Sequence, residues 1–247
     1  MKACVLVTAL SFIGWFGCGR SPTNGLPARE ADAFVAARQR MVGEQLAGTG
    51  QSITNTRVLA AMGRVPRHEF VPEHLRSHAY DDGPLPIGHD QTISQPYVVA
   101  FMTERLDPHT TDRVLEVGTG SGYQAAVLAE LVAEVYTVEI IKPLAQRAEA
   151  DLKRLSYTNV HVRAGDGYQG WPEAAPFDDI IVTCAPENVP PPLVKQLKDG
   201  GRMIIPVGPM GNQELVLLRK QGERLEQRAV LPVRFVPMTG AAERSRD

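Results

Sequence analysis

The sequence predicts an α/β fold: a mostly parallel sheet with helices on both faces, antiparallel C-terminal strands and an N-terminal helical extension. Three observations carry this expectation. From Arg113 onward, short apolar runs alternate with stretches of helical spacing, the pattern of a parallel sheet covered on both sides. The first of those runs, residues 114–117, ends in a glycine-rich turn that leads into a helix near Tyr123. The tail then departs from the alternation. Residues 214–219 and 230–235 are apolar runs joined by a short polar stretch containing Gly222, a hairpin-like ending.

Taken in order, residues 29–47 place Phe34, Val35, Met41, Val42 and Leu46 at helical spacing, with Arg38, Arg40 and Glu44 on a solvated face. A second helix, residues 56–64, stops at Val65-Pro66, because the residue before proline disfavours helical geometry. Residues 67–80 are mixed, with Pro72 suited to a first helical turn. Residues 83–88 are extended or turning. Pro96 opens a helix through Val98, Val99, Met102 and Leu106, and Pro108 marks the boundary before the first core strand. Strands are predicted at 114–117, 135–138, 160–162, 180–183 and 203–207, with helices at 124–131, 143–155 and 190–197. There is no internal repeat and no low-complexity segment.

The chain has 247 residues and a formal net charge of −2, so composition supplies no global attraction to nucleic acid. Its three cysteines, Cys4, Cys18 and Cys184, lack metal-ligand spacing, and neither a disulfide framework nor a metal site follows. Cys184 closes an apolar run and reads as a buried packing thiol rather than a nucleophile. The N-terminus differs in kind. Lys2, an apolar run over residues 3–16, Gly17-Cys18 and a polar stretch over 19–27 have the layout of a secretory signal, too short for a comfortable transmembrane span. Gly17-Cys18 resembles the end of a bacterial lipoprotein signal with Cys18 as the lipidated residue. The alternative is an extended N-terminus ahead of a shorter protein starting at Met41. Residues 1–28 are therefore set apart as a signal-like segment and linker, 29–240 as one domain and 241–247 as a tail.

The glycine turn holds the chemistry. Val117-Gly118-Thr119-Gly120-Ser121-Gly122 follows Glu116, and its G-x-G-x-G spacing is one residue shorter than a dinucleotide-binding G-x-G-x-x-G. Gly118, Gly120 and Gly122 let backbone approach a ligand closely. A carboxylate inside the strand suits a cationic, hydroxyl-rich ligand better than a pyrophosphate, which points to S-adenosyl-L-methionine. Glu116 is positioned to pair with its ammonium, or else caps the loop. Glu139, closing the second strand, can accept both ribose hydroxyls, or else is a solvated surface group.

Val65-Pro66-Arg67-His68-Glu69-Phe70-Val71-Pro72, Leu85-Pro86-Ile87-Gly88, Gln91-Thr92-Ile93-Ser94-Gln95-Pro96, the glycine turn, Gly165-Asp166-Gly167 and Arg234-Phe235-Val236-Pro237 together resemble the protein-L-isoaspartate O-methyltransferase family. The resemblance runs from about Arg38 to Thr239. It implies a class I methyltransferase with a Rossmann-like cofactor core at 111–240 and a helical, substrate-side part at 29–110. It also implies Asp166 and Gly167 at the adenine, unless Asp166 only serves its own turn. Ser94 is the implied active-site residue, donating a hydrogen bond to substrate or cofactor or holding its loop; the alternative is a cap on the helix at Pro96. Ile93, Gln95, Pro96 and Thr239 fall on the substrate side by the same resemblance, and residues 84–88 either shape the groove or act as a rigid connector.

The implied acceptor is the free α-carboxylate of L-isoaspartyl residues in damaged proteins, esterified so that a succinimide can re-form. Such an acceptor is already ionised near neutral pH, so positioning and desolvation suffice and no activated serine is needed. The resemblance further implies a monomer, no metal, no nucleic-acid partner and a cytoplasmic location, with membrane attachment only if Cys18 is lipidated. Two rivals stay open at this point: another class I methyltransferase acting on a small molecule or RNA, and a non-catalytic cofactor-binding envelope protein.

Overall fold

The computed structural model describes residues 28–244, apart from Thr49 and Gln51. The signal-like segment, with Cys4 and Cys18, and the last three residues lie outside the described residues.

Helix α1 (Ala28–Arg40) runs on into a π-helical turn, Met41–Leu46. Helix α2 (Thr56–Arg64) starts at Asn55, whose side-chain oxygen accepts from the backbone N–H of Arg57 (3.0 Å) and Val58 (3.3 Å), satisfying two donors that a helix start leaves unpaired. It ends ahead of Pro66. The mixed segment becomes two 3₁₀ turns, Arg67–Phe70 and Glu73–His78, with Pro72 leading into the second. Next comes a small antiparallel hairpin, β1 (Leu85–Gly88) and β2 (Gln91–Ile93), which the sequence reading leaves as an irregular stretch. His89 and Asp90 make its turn with φ of 55° and 56°, the double left-handed geometry of a tight hairpin. Helix α3 (Pro96–Leu106) begins with proline in its first turn.

The core follows as β3 (Arg113–Val117), α4 (Tyr123–Ala129), β4 (Glu134–Glu139), α5 (Lys142–Arg154), β5 (Val160–Ala164), β6 (Phe177–Val182), α6 (Pro191–Gln196), β7 (Leu197–Val207), β8 (Gln213–Gln221), β9 (Arg224–Val233) and α7 (Ala241–Arg244). Sheet order is β5-β4-β3-β6-β7-β8-β9, parallel as far as β7 and antiparallel beyond it. The predicted fold class is the one observed. Side chains alternate across the sheet as strand geometry requires. Val114, Ile181 and Ile204 pack with Val99 of α3 and Leu128 of α4 on one face. Leu115, Ile180 and Met203 pack with Leu193 of α6 and Ala242 of α7 on the other.

Strand β9 begins six residues before the apolar run that announces it. Its first half, from Arg224, is polar because it is an edge strand, paired with β8 only, from Gln221↔Arg224 to Gln213↔Val233. For the site, the decisive feature is the reversal of strand order at β3, where the chain turns from β4 on one side to β6 on the other. Beyond the carboxyl ends of such strands a parallel sheet opens a crevice.

Candidate active site

At that crevice the glycine turn leaves β3. Gly118 adopts φ 98° and donates its N–H to the Val138 carbonyl at 2.9 Å. A Cβ at Gly118 would collide with the Thr183 hydroxyl, which itself donates to the Gly118 carbonyl at 2.7 Å. Gly120, at φ 53°, donates its N–H to Oε2 of Glu139 at 2.8 Å. Gly122 does something else. It starts α4, and a Cβ there would press on Leu152 (3.3 Å) and Ala148 (3.4 Å) of α5, so its smallness seats one helix on another.

Three connected hollows lie over the strand ends. The first is walled by Gly118, Gly120, Glu139, Gly167, Cys184 and Thr239. The second lies between Glu116, Ile93, Ser94, Tyr123 and Gln124. The third is an open groove of about 580 Å³ flanked by Ser94, Gln95, Tyr97 and residues 231–236. Thr92 and Thr183 border all three, and Ser94 borders the second and third. Thr92 belongs to the segment that carries the family resemblance but has no role of its own from sequence, and Thr183 has none. A threonine ending a strand is an ordinary β-former, and only the adjacency of β6 to β3 gives Thr183 its place.

Glu116 is fully buried. Its Oε2 accepts from the Thr137 hydroxyl at 2.6 Å, Thr137 is hydrogen-bonded to Thr119 at 2.6 Å, and Oε1 has no partner. Burial pushes this carboxyl up to about 8, the Thr137 hydrogen bond acts against that, and the nearby Glu139 charge adds to it. Glu139 is buried too, with Oε1 accepting from the Ile141 N–H at 2.9 Å and Oε2 from Gly120. Each of its oxygens keeps a further lone pair for a ligand.

Asp166 does not border the hollows. Its Oδ1 accepts from the Tyr168 N–H at 3.0 Å and its Oδ2 from the Ala241 N–H at 2.8 Å, which fastens the Gly167 turn to the start of α7. Gly167 does border the first hollow. Cys184, expected as a packing thiol, is half-buried and forms part of the same wall; enclosure of the thiol pushes it up to about 12.

Ser94 does not cap α3. Gln95 holds the N-cap position, without a side-chain cap, and the Ser94 hydroxyl has no hydrogen bond among the described residues. The Gln95 amide donates to Asp82 at 2.7 Å, Ile93 is buried in the wall of the second hollow, and Pro96 is buried at the start of α3, away from the hollows. The β1–β2 hairpin is tied down by Arg147 of α5, which donates to the Ile87 carbonyl at 2.9 Å.

An unpartnered buried carboxylate oxygen, a second carboxylate with spare lone pairs, glycine backbone and apolar surface suit a ligand with an ammonium, hydroxyls and a flat heterocycle. S-adenosyl-L-methionine has all three. Among the described residues, no cluster of His, Cys, Asp and Glu could hold a metal ion.

Comparison with known proteins agrees with this chemistry. The profile of the protein-L-isoaspartate(D-aspartate) O-methyltransferase family matches residues 38–243. A protein-L-isoaspartate O-methyltransferase of Opitutus terrae is 59% identical over 203 residues, covering 82% of this chain and 86% of that protein. Protein-L-isoaspartate O-methyltransferase 1 of Nitrosospira multiformis is 53% identical over 235 residues, covering 94% and 97%. Among solved structures, a protein-L-isoaspartate O-methyltransferase matches with a TM-score of 0.74 at 29% identity, over 86% of this chain and 69% of its own. On these grounds the chain belongs to the protein-L-isoaspartate(D-aspartate) O-methyltransferase family.

Proposed function

We infer that the protein transfers a methyl group from S-adenosyl-L-methionine to the free α-carboxylate of L-isoaspartyl residues in damaged proteins and peptides, which starts their repair through a succinimide. The observation that supports it most directly is that two hollows bordered by Glu139 and Glu116 share Thr92 and Thr183 with a larger groove, and that Ser94 borders that groove as well as the Glu116 hollow. A small donor fits inside and a polypeptide reaches it from outside.

In this reading, Glu116 Oε1 takes the ammonium, the spare lone pairs of Glu139 take the ribose hydroxyls, and the Gly167 backbone meets the adenine. When bound, the donor supplies an electrophilic methyl group on a sulfonium. The chain's own part is positioning. Ser94 Oγ–H donates to the acceptor carboxylate and aims its second oxygen inward, while the apolar wall of Val98, Phe235 and Val236 sheds water from that oxygen. The carboxylate oxygen gains the methyl group and no proton changes hands, so no general base is required. Ring closure by the neighbouring backbone nitrogen follows on the released ester.

The cytoplasm, where the donor is made, is the location this reading favours. No helix of the described residues is long and apolar enough to cross a membrane. Mass spectrometry of the mature N-terminus separates a retained Met1 from a lipid-modified Cys18.

The decisive experiment follows label from the donor onto an isoaspartyl peptide, its normal aspartyl twin and RNA. Base-labile label on the first alone is the expected result. Absence of transfer while S-adenosyl-L-homocysteine still binds would overturn the acceptor.

A further inference from the structure

The groove that opens from Ser94 does not end beside it. Past Tyr97 the surface dips again into a hollow of about 470 Å³ between α3 and β9, whose walls include Tyr97, Phe101, Arg105, Leu217, Arg228 and Val230. Tyr97 borders both hollows, and the chain that walls the near one over residues 231–236 walls the far one over residues 228–230. The two form one track along the edge strand.

The far end is cationic. Arg105 and Arg228 are exposed, and neither forms an ion pair among the described residues. The Arg105 guanidinium lies over the Phe101 ring, 4.8 Å from its centre. The acids adjacent in sequence make no ion pair with either arginine. Oε1 of Glu104 accepts from the backbone N–H groups of Thr54 and Asn55, both at 2.7 Å. Glu226 is two residues from Arg228 on the same face of β9 but stands opposite Arg219, whereas Arg228 stands opposite apolar Leu217. Two exposed cations without an ion-pair partner among the described residues, with apolar and aromatic surface between them, therefore stand at the end of a path that leads to Ser94.

We propose that this far hollow binds a flanking segment of the substrate polypeptide and selects an acidic side chain there, at a distance from the isoaspartyl residue. The inference rests on the proposed function and extends it to substrate choice. Arg228 lies five positions before Val233 along β9, and an extended chain advances about 3.3 Å per residue. A substrate running beside β9 thus meets the arginines roughly five to seven residues from the modified position. The contacts are at a solvated rim, so they act on binding and leave the chemical step alone.

Isoaspartyl peptides of about fifteen residues, bearing Glu, Gln or Lys at the fifth to seventh positions on either side, test this against a hexapeptide too short to reach the far hollow. For the wild-type protein, Glu on one flank should lower KM roughly three- to tenfold relative to Lys, with kcat unchanged, as expected for two exposed charge pairs. The double variant R105E/R228E should reverse that order, and R105A/R228A should abolish it. Hexapeptide kinetics should be the same in all three proteins, which also shows that the exposed substitutions leave the fold intact. Equal KM for the Glu and Lys peptides in the wild type, or a Glu preference that survives charge reversal, would overturn the proposal while hexapeptide methylation still upheld the function. Failure to methylate even the hexapeptide would overturn both.

Discussion

Thr137 donates a 2.6 Å hydrogen bond to Oε2 of Glu116 and leaves Oε1 of that buried carboxyl, on a residue bordering the second hollow, with no partner. An acid held in this way costs stability in the empty protein and is available to a cation. Glu116→Gln keeps the shape and removes the charge. It should weaken binding of S-adenosyl-L-homocysteine roughly 10- to 100-fold, the scale of a hydrogen bond to a charged group, while the melting temperature holds or rises. Calorimetric titration beside a melting curve checks both; unchanged affinity would take Glu116 out of the ligand site.

The same residue sets a pH dependence. With its carboxyl raised to about 8, Glu116 is mostly protonated at pH 7 in the ligand-free protein, yet an ammonium ligand selects the carboxylate. Affinity should therefore climb from pH 6 to pH 8 and level off above, with proton release on binding near pH 7. Stability has the opposite slope. Between the ordinary value of 4.5 and about 8, unfolding releases the proton, so the empty protein loses stability as pH rises across that window. Asp179, raised by burial to about 7, adds a similar slope below pH 7, and Glu116→Gln should remove only its own share. Titrations in buffers of different ionisation enthalpy read the proton directly, and a flat profile would contradict the assignment.

Glu139 holds the turn together as well as facing the first hollow. Its two oxygens serve the Gly120 and Ile141 N–H groups, so Glu139→Ala should strand both donors. The expected loss is about 1–3 kcal/mol of stability, together with weaker donor binding. Glu139→Gln retains one acceptor oxygen and should lose less. Denaturant unfolding of the two variants provides the comparison; equal stabilities would show that the backbone bonds carry no weight.

Ser94 does not cap α3, so the catalytic role proposed for it is separable from a structural one. Ser94→Ala should leave the melting temperature and the donor KM unchanged and lower kcat for an isoaspartyl peptide roughly tenfold, the value of one hydrogen bond to a charged group. A fall in stability with kcat preserved would assign the hydroxyl to the loop instead.

Elements with a strong apolar period were legible in the sequence. Helix α2 begins and ends where the pattern and Val65-Pro66 place it, and the central strands β3 and β4 extend the predicted runs by one or two residues. The hairpin β1–β2 was not, because three- and four-residue strands carry no period and His89-Asp90 is not the glycine- or asparagine-rich pair that announces a tight turn. In the site, Glu116 and Glu139 were readable as acids at the ends of parallel strands. The packing task of Gly122 was not, since it depends on where α5 sets Leu152, and Asp166 bonds to Ala241, a partner seventy-five positions away.

Cys184 stands in the lining of a chamber suited to an alkylating sulfonium. Sulfur attacks an alkylating methyl group as thiolate, and with burial pushing this thiol up to about 12 that form is scarce at neutral pH. The same enclosure that lets a compact, polarisable group line the wall also renders it inert toward the reagent next to it. A donor lodged beside Cys184 would therefore meet a thiol and not a ready nucleophile.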